Sequence, residues 1–244
     1  MNCFWKYIRN AYDFDTLFNT PITFPIEWRK SKIDGVSARV NLADIHGFIQ
    51  RAGTHPRPLL WTGNRRLDFQ FPAELRCLRI DHDQAFQQTT NLRYQYHKNG
   101  PWIAFTWRYD SGEVAGSVPD LAAALALTGD EQQAIGFFCG PAVATLFNPN
   151  TSCNGQPCGA KRLNIPAAGT ENDDTNPPRI AARHVFDLAI GTDDLFHTDR
   201  VRWTLQLSAV NLTNQAALFN FLSTFSGTHF VGPRSYRAEV GMVF

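Results

Sequence analysis

The side chains with most chemistry to offer are charged and sit every second residue along alternating segments. Arg39, Arg93, His97, Arg108, Asp187, Arg202, Arg237 and Glu239 each stand on the polar side of such a segment. If their segments are neighbours, Asp187 falls between arginines and Glu239 falls near Arg202. Cross-strand pairs of that kind stabilise a solvated wall by about 0.2–1 kcal/mol each, and a polar wall explains them without a substrate.

Cys139, Cys153 and Cys158 are three of the five cysteines and share one long segment. In an oxidising compartment two of them can pair, most simply Cys153 with Cys158, although the odd count leaves the choice of partner open. Zinc needs a fourth ligand at suitable spacing, and no histidine lies between His97 and His184. Asp81-His82-Asp83, Asp193-Asp194 with His197, and Glu171 to Asp174 carry ligand-type side chains. Each reads as a solvated cluster at a strand end or turn, so no metal site and no cofactor is expected. There is no G-x-S-x-G, no H-E-x-x-H and no phosphate-binding glycine loop, and an enzyme is not expected.

The positioning elements are strands. Val201, Trp203, Leu205, Leu207 and Ala209 alternate with Arg202, Thr204, Gln206 and Ser208, and Tyr236, Ala238, Val240, Met242 and Phe244 alternate with polar residues at the end of the chain. The same period of two marks segments near 3–12, 22–29, 36–42, 91–97, 103–109 and 186–190. That makes about eight strands of roughly ten residues, the length a tilted strand needs to cross a bilayer. Helical cues are confined to Asp120 after Pro119 and to the capping box Thr128-Gly-Asp-Glu131.

Composition excludes several classes. The 244 residues are 43% hydrophobic and 18% charged with a formal charge of +1, so neither disorder nor a basic nucleic-acid surface is indicated. The longest apolar run, Leu121 to Leu127, is far short of the ~20 residues of a membrane helix. The first residues do not read as an export signal.

Connections alternate in length. Short turns are expected at 31–35, 98–101 and 197–199, and long links at 13–21, 50–85, 110–182 and 212–232. That asymmetry predicts an antiparallel transmembrane β-barrel segment, a curved partial barrel with short periplasmic turns and long extracellular loops, residues 111–182 forming the longest loop with its short helices. Trp28, Tyr96, Trp203 and Phe244 then gather near the short-turn rim as an interfacial aromatic girdle.

Arg79 to Gln88, Lys98 to Ser111, Val210-Asn-Leu-Thr-Asn214, Phe219 to Phe230 and the terminal phenylalanine together resemble the C-terminal barrel region of Oar-like TonB-dependent outer-membrane transporters. The likeness spans nearly the whole chain. It implies a wall of the 22-stranded class, a ligand caught at extracellular loops, and energised import. Tyr236, Val240, Met242 and Phe244 are similar to the signal read by the barrel-assembly machinery. The plug, the TonB box and the signal peptide of that family have no counterpart here, so the chain looks like the last third of such a transporter, single-region from 1 to 244, touching the TonB complex only through the missing plug. Its place would be the outer membrane and its partners lipid and an unidentified small ligand. Strand arithmetic agrees: eight strands use about 80 residues, whereas a 22-stranded wall needs about 220. Two other readings remain open, a small independent barrel acting as anchor or adhesin, and a soluble carbohydrate-binding β-sandwich.

Overall fold

The computed structural model describes residues 2–16, 23–45, 48–55, 83–97, 100–116, 118–172, 175–196, 201–223 and 227–243. The chain is all-β in character. Its strands are β1 (Asn2–Thr16), β2 (Thr23–Ile45), β3 (Phe48–His55), β4 (Gln87–Gln95), β5 (Pro101–Asp110), β6 (Phe137–Cys139), β7 (Ala142–Val143), β8 (Cys158–Ala160), β9 (Leu163–Asn164), β10 (Arg179–Ile180), β11 (Arg183–Thr192), β12 (Arg202–Val210), β13 (Leu218–Ser223), β14 (Gly227–Phe230) and β15 (Ser235–Val243). Two short helices, α1 (Leu121–Ala126) and α2 (Gly129–Ile135), lie between β5 and β6. Among the described residues no helix is long and apolar enough to cross a membrane.

Eight strands form one antiparallel sheet in the order β1-β2-β3-β4-β5-β11-β12-β15. Each strand pairs with the next sheet strand along the chain, and β1 and β15 stand at opposite edges. From β4 to β15 the register runs without a slip. It places Leu92, Phe105, Leu188, Ala209 and Tyr236 on one row, and Tyr94, Ile103, Ile190, Leu207 and Ala238 on another. Because side chains alternate with period two, both rows share a face, and the charged rows share the other.

Two expectations about this sheet are corrected. The 31–35 segment is not a turn: β2 runs straight through it, pairing Trp5 with Asp34 and Phe4 with Gly35. The short connection sits instead between Ile45 and Phe48, which pair across it. β3 was expected to be loop, yet it pairs along its length with β4. With those changes the short connections still fall at one end of the sheet, after β2, β4 and β11, and the long ones at the other. β1 meets only the outer half of β2, from Ser37 to Thr23, while β3 meets the inner half. The β1–β2 hairpin therefore projects past the long-loop end.

The buried core lies outside the sheet. Val118, Ala124, Ile135, Phe137, Leu163, Ile180, Leu218 and Phe221 pack together, drawn from 111–182 and from β13. The two long links thus fold into one cap. Asp120 caps α1 by accepting from the Ala123 N–H at 2.8 Å, and the capping box of α2 is present on Thr128 and Glu131. These are the two helix starts legible in the sequence.

A buried ion pair fastens the cap to the sheet. Arg183 Nε donates to Asp110 Oδ2 at 2.8 Å, where the last residue of β5 meets the first of β11. Arg183 Nη1 donates to the Leu218 carbonyl of β13 at 2.7 Å, and its guanidinium lies 4.8 Å over the Phe219 ring. Asp110→Ala strands the arginine in a buried position, which costs about 3–5 kcal/mol. Denaturant unfolding in detergent, followed by tryptophan fluorescence, should show that loss.

Candidate functional site

The polar face of the sheet carries three tiers of guanidinium–carboxylate pairs. At the short-turn end, Asp193 accepts from Arg93 Nη2 at 3.1 Å, Gln95 Nε2 at 2.9 Å and Trp102 Nε1 at 2.9 Å. The Arg93 guanidinium stacks 4.4 Å from the Trp102 ring centre. Gly191, facing Trp102 across β5 and β11, makes this possible: a Cβ there would come within 2.6 Å of both the indole and the Leu205 carbonyl.

In the middle tier, Arg108 Nη2 holds both oxygens of Asp187 at 3.0 and 2.8 Å, and Asp187 Oδ1 accepts the Asn211 N–H at 2.8 Å. That last bond explains the Asn-Leu-Thr-Asn element. Asn211 is fully buried with φ 51°, its amide donating to the carbonyls of Gln215 and Gly232, and Asn214 accepts from the Arg234 N–H. The element is a turn that closes the top of β12 and locks it to β11. The third tier is Asp110 with Arg183, joined by Gln84, which donates to Asp110 at 3.1 Å. Nearby, Arg179 pairs with Asp83, which is wholly buried. Asp83 was expected to be solvated; burial against the cap makes it a structural anchor.

Several expected site residues land elsewhere. Among the described residues Asp187 has one arginine partner, Arg108, rather than two. Arg202 pairs in register with Val243 at the short-turn end, far along β12 from Asp187. Glu239 bonds Arg237 at 2.7 Å rather than Arg202, because the register sets it opposite Gln206. His97 leaves the wall: it lies in the turn after β4 with φ 58°, its ring 4.0 Å from that of Tyr96. Arg39 is placed by backbone opposite Gly53, its side chain outside the described residues. Trp102, Asp110 and Arg183 are members that pattern reading did not single out, and Asp193, read there as part of a solvated cluster with Asp194 and His197, is instead held by Arg93, Gln95 and Trp102. They were hidden because each acts with partners remote in sequence.

On the opposite face, aromatic rings collect at both ends. Tyr96 and Trp203 lie at the short-turn end, where Phe196 meets Trp203 edge-on at 6.2 Å. Trp28 does not join them, since β2 carries it opposite Ala11 in the projecting hairpin, beyond the other end. Phe244 lies outside the described residues. At the long-loop end, Phe86, Trp107, Tyr109, His184 and Phe186 form a second cluster, with Tyr109 and His184 rings 4.8 Å apart and Trp107 Nε1 donating to His184 Nδ1 at 3.2 Å.

In the cap, the disulfide joins Cys139 to Cys153 and leaves Cys158 free. This corrects the expected Cys153–Cys158 pair: the pairing of β6 with β8 sets Cys158 opposite Cys139, and Cys153 closes on Cys139 from the turn that precedes β8. A cleft of about 280 Å³ opens beside α2, lined by Asp130, Gln133, Ala134, Leu146, Arg162 and Phe230. Asp130 there is held below its ordinary carboxyl range, chiefly by the Thr128 hydroxyl that donates to it at 2.6 Å. The stabilisation is present at neutral pH and lost as pH falls through the carboxylate range. Arg162 donates to the Gln133 and Ala134 carbonyls, satisfying the last turn of α2. Among the described residues no group of three or more His, Cys, Asp or Glu is placed to hold a metal.

No protein-family model matches the chain, and a search of the curated proteins matches none.

Taken together, the polar face is a self-paired wall with near-balanced charge, and the cap offers a small mixed cleft. Gly191→Ala should push the Trp102 indole off Asp193, costing about 1–3 kcal/mol as overpacking does. Tryptophan emission should shift and the unfolding midpoint should fall.

Proposed function

We propose that the chain builds part of the wall and outer loops of an outer-membrane β-barrel, as the C-terminal strands of a TonB-dependent transporter. The observation that carries this reading is an uncovered apolar face. Leu92, Ile103, Ile190 and Leu207 are 39%, 46%, 46% and 45% exposed in mid-strand, and Tyr236 and Val240 on β15 are 72% and 66% exposed. Among the described residues no second sheet covers them, which is the layer a soluble sandwich requires. Hydrocarbon tails satisfy such a face.

Three further features support it. The aromatic clusters at the two ends stand roughly six to ten residues apart along the strands, about 20–33 Å of chain. At the roughly 35–45° tilt of these barrels, the wider spacing projects to the roughly 25 Å height of an outer-membrane apolar band. The long connections, with their folded cap, share one end, as ligand-catching outer loops do. Finally, β1 and β15 are not paired with each other among the described residues, and an edge strand of this length in a membrane needs a neighbour. In the proposed arrangement that neighbour is the remainder of a larger wall.

In this reading the paired polar face lines the lumen, the cap presents the cleft near Asp130 and Arg162 to an external ligand, and the terminal strand is delivered by the barrel-assembly machinery. Energy from the TonB complex reaches it through a plug that these residues do not supply. A second reading, a self-closed small barrel serving as anchor or adhesin, draws on the eight-strand count and requires β1 to pair with β15, a pairing not present among the described residues.

Leu207→Arg on the apolar face should lower stability in lipid vesicles by about 2–4 kcal/mol, while Ser208→Arg on the polar face should leave it nearly unchanged. Equal tolerance at both positions would remove the membrane reading. Heat-modifiable migration of the isolated chain in detergent would select the small barrel instead.

A further inference from the structure

Three cysteines converge where the cap folds back on itself. Cys139 ends β6, Cys158 begins β8, and the two are direct partners in the antiparallel register. The next pair, Gly140 and Pro157, is the hydrogen-bonded one, the Gly140 N–H donating to the Pro157 carbonyl at 2.7 Å. Cys139 and Cys158 therefore occupy a non-hydrogen-bonded site, where Cα atoms stand about 4.5 Å apart and side chains are at their closest. Cys139 is already bonded to Cys153 with a Cα separation of 5.0 Å. Both spacings fall within the roughly 4.4–6.8 Å range that a disulfide spans. One backbone thus accommodates two alternative bonds to Cys139.

We propose that Cys139, Cys153 and Cys158 form a thiol–disulfide exchange site. The Cys158 thiol gives up its proton, and its thiolate attacks Sγ of Cys139. The Cys139–Cys153 bond breaks as the Cys139–Cys158 bond forms, and Cys153 leaves as a thiolate that takes up a proton. The step is neutral in electrons and needs no external oxidant. Cys158 is partly accessible, whereas Cys153 is buried, so the free thiol is the one a solvent-borne reagent meets first.

The exchange changes what the bond restrains. Cys153 anchors the exposed tip that carries Leu146 and Phe147, the latter 92% exposed. After exchange that tip lies in a longer covalent loop, closed by Cys139–Cys158 in place of Cys139–Cys153, with the Gln132 side chain bonding the Asn150 N–H at 2.8 Å and carbonyl at 3.0 Å and Gln133 accepting the Leu146 N–H at 2.7 Å. Because Leu146 lines the cap cleft, the two bonding states present it with different freedom. The proposal concerns the cap alone and stands whether or not the sheet lies in a membrane.

The test uses the full chain carrying Cys3→Ser and Cys77→Ser, which leaves Cys139, Cys153 and Cys158 as its only cysteines, refolded in detergent without reductant at mildly alkaline pH. Aliquots are alkylated with N-ethylmaleimide over time, digested and mapped by mass spectrometry. Label is expected first on Cys158, then increasingly on Cys153, together with a peptide linked through Cys139 and Cys158. Cys158→Ser should cut Cys153 labelling at least roughly tenfold, because the internal nucleophile is gone. Cys153→Ser should form the Cys139–Cys158 bond in a glutathione redox buffer. The proposal is overturned if Cys153 never takes label, if Cys158→Ser leaves its labelling unchanged, or if Cys153→Ser keeps both remaining thiols free.

Discussion

Unbroken register from β4 to β15 is the constraint from which the other features follow. A slip of one residue at any of those pairings would carry a whole strand's apolar set to the charged face. With the register as it is, Ile103, Ile190 and Leu207 share one flank, and Arg108 meets Asp187 on the other. The ion pairs are a consequence of that alignment as much as its cause. The Arg93–Asp193 and Arg108–Asp187 pairs are partly solvated, and pairs of that kind contribute little individually. Their role is to penalise the slipped register, in which a guanidinium would face a row of leucine and isoleucine.

The cap solves a separate problem. Two links of great length would be a large entropic burden if they stayed loose. Instead they bury Phe137, Ile135, Leu163 and Phe221 in a core of their own and tie it to the strand ends through Arg183, Arg179 and Asn211. Arg183 and Asp110 sit at the seam, where the low-dielectric core strengthens their attraction and makes loss of either partner costly.

Much of this was legible in the residues and some was not. Strand alternation from Leu92 onward, the helix starts at Asp120 and Thr128, and the separation of short from long connections all express local chemistry, and local chemistry is what a sequence displays. The 31–35 segment misled because Asp34-Gly35 carries turn residues, while pairing with Trp5 and Phe4 over a long hairpin overrides them. β3 was hidden because Ile49 stands in register with Arg93 and Gln50 with Leu92, which inverts the apolar alternation that marks its neighbours. The disulfide, the Asp110–Arg183 seam and the Trp102–Asp193 contact join residues whose proximity is set by topology, and spacing along the chain carries no signal of it.

The central claim is that lipid covers the flank bearing Leu92, Ile103, Ile190 and Leu207. The most direct measurement places a spin label at each of these positions, and at Arg93, Ala104, Ala189 and Ser208 on the other flank, one at a time in the chain reconstituted into vesicles. Collision with oxygen, which concentrates in hydrocarbon, is then compared with collision with a water-soluble nickel chelate. The account predicts that oxygen dominates at the first four positions and the chelate at the second four, alternating residue by residue along each strand. Equal access of the chelate to both sets, or exclusion of both probes from the first set by a covering protein layer, would contradict it.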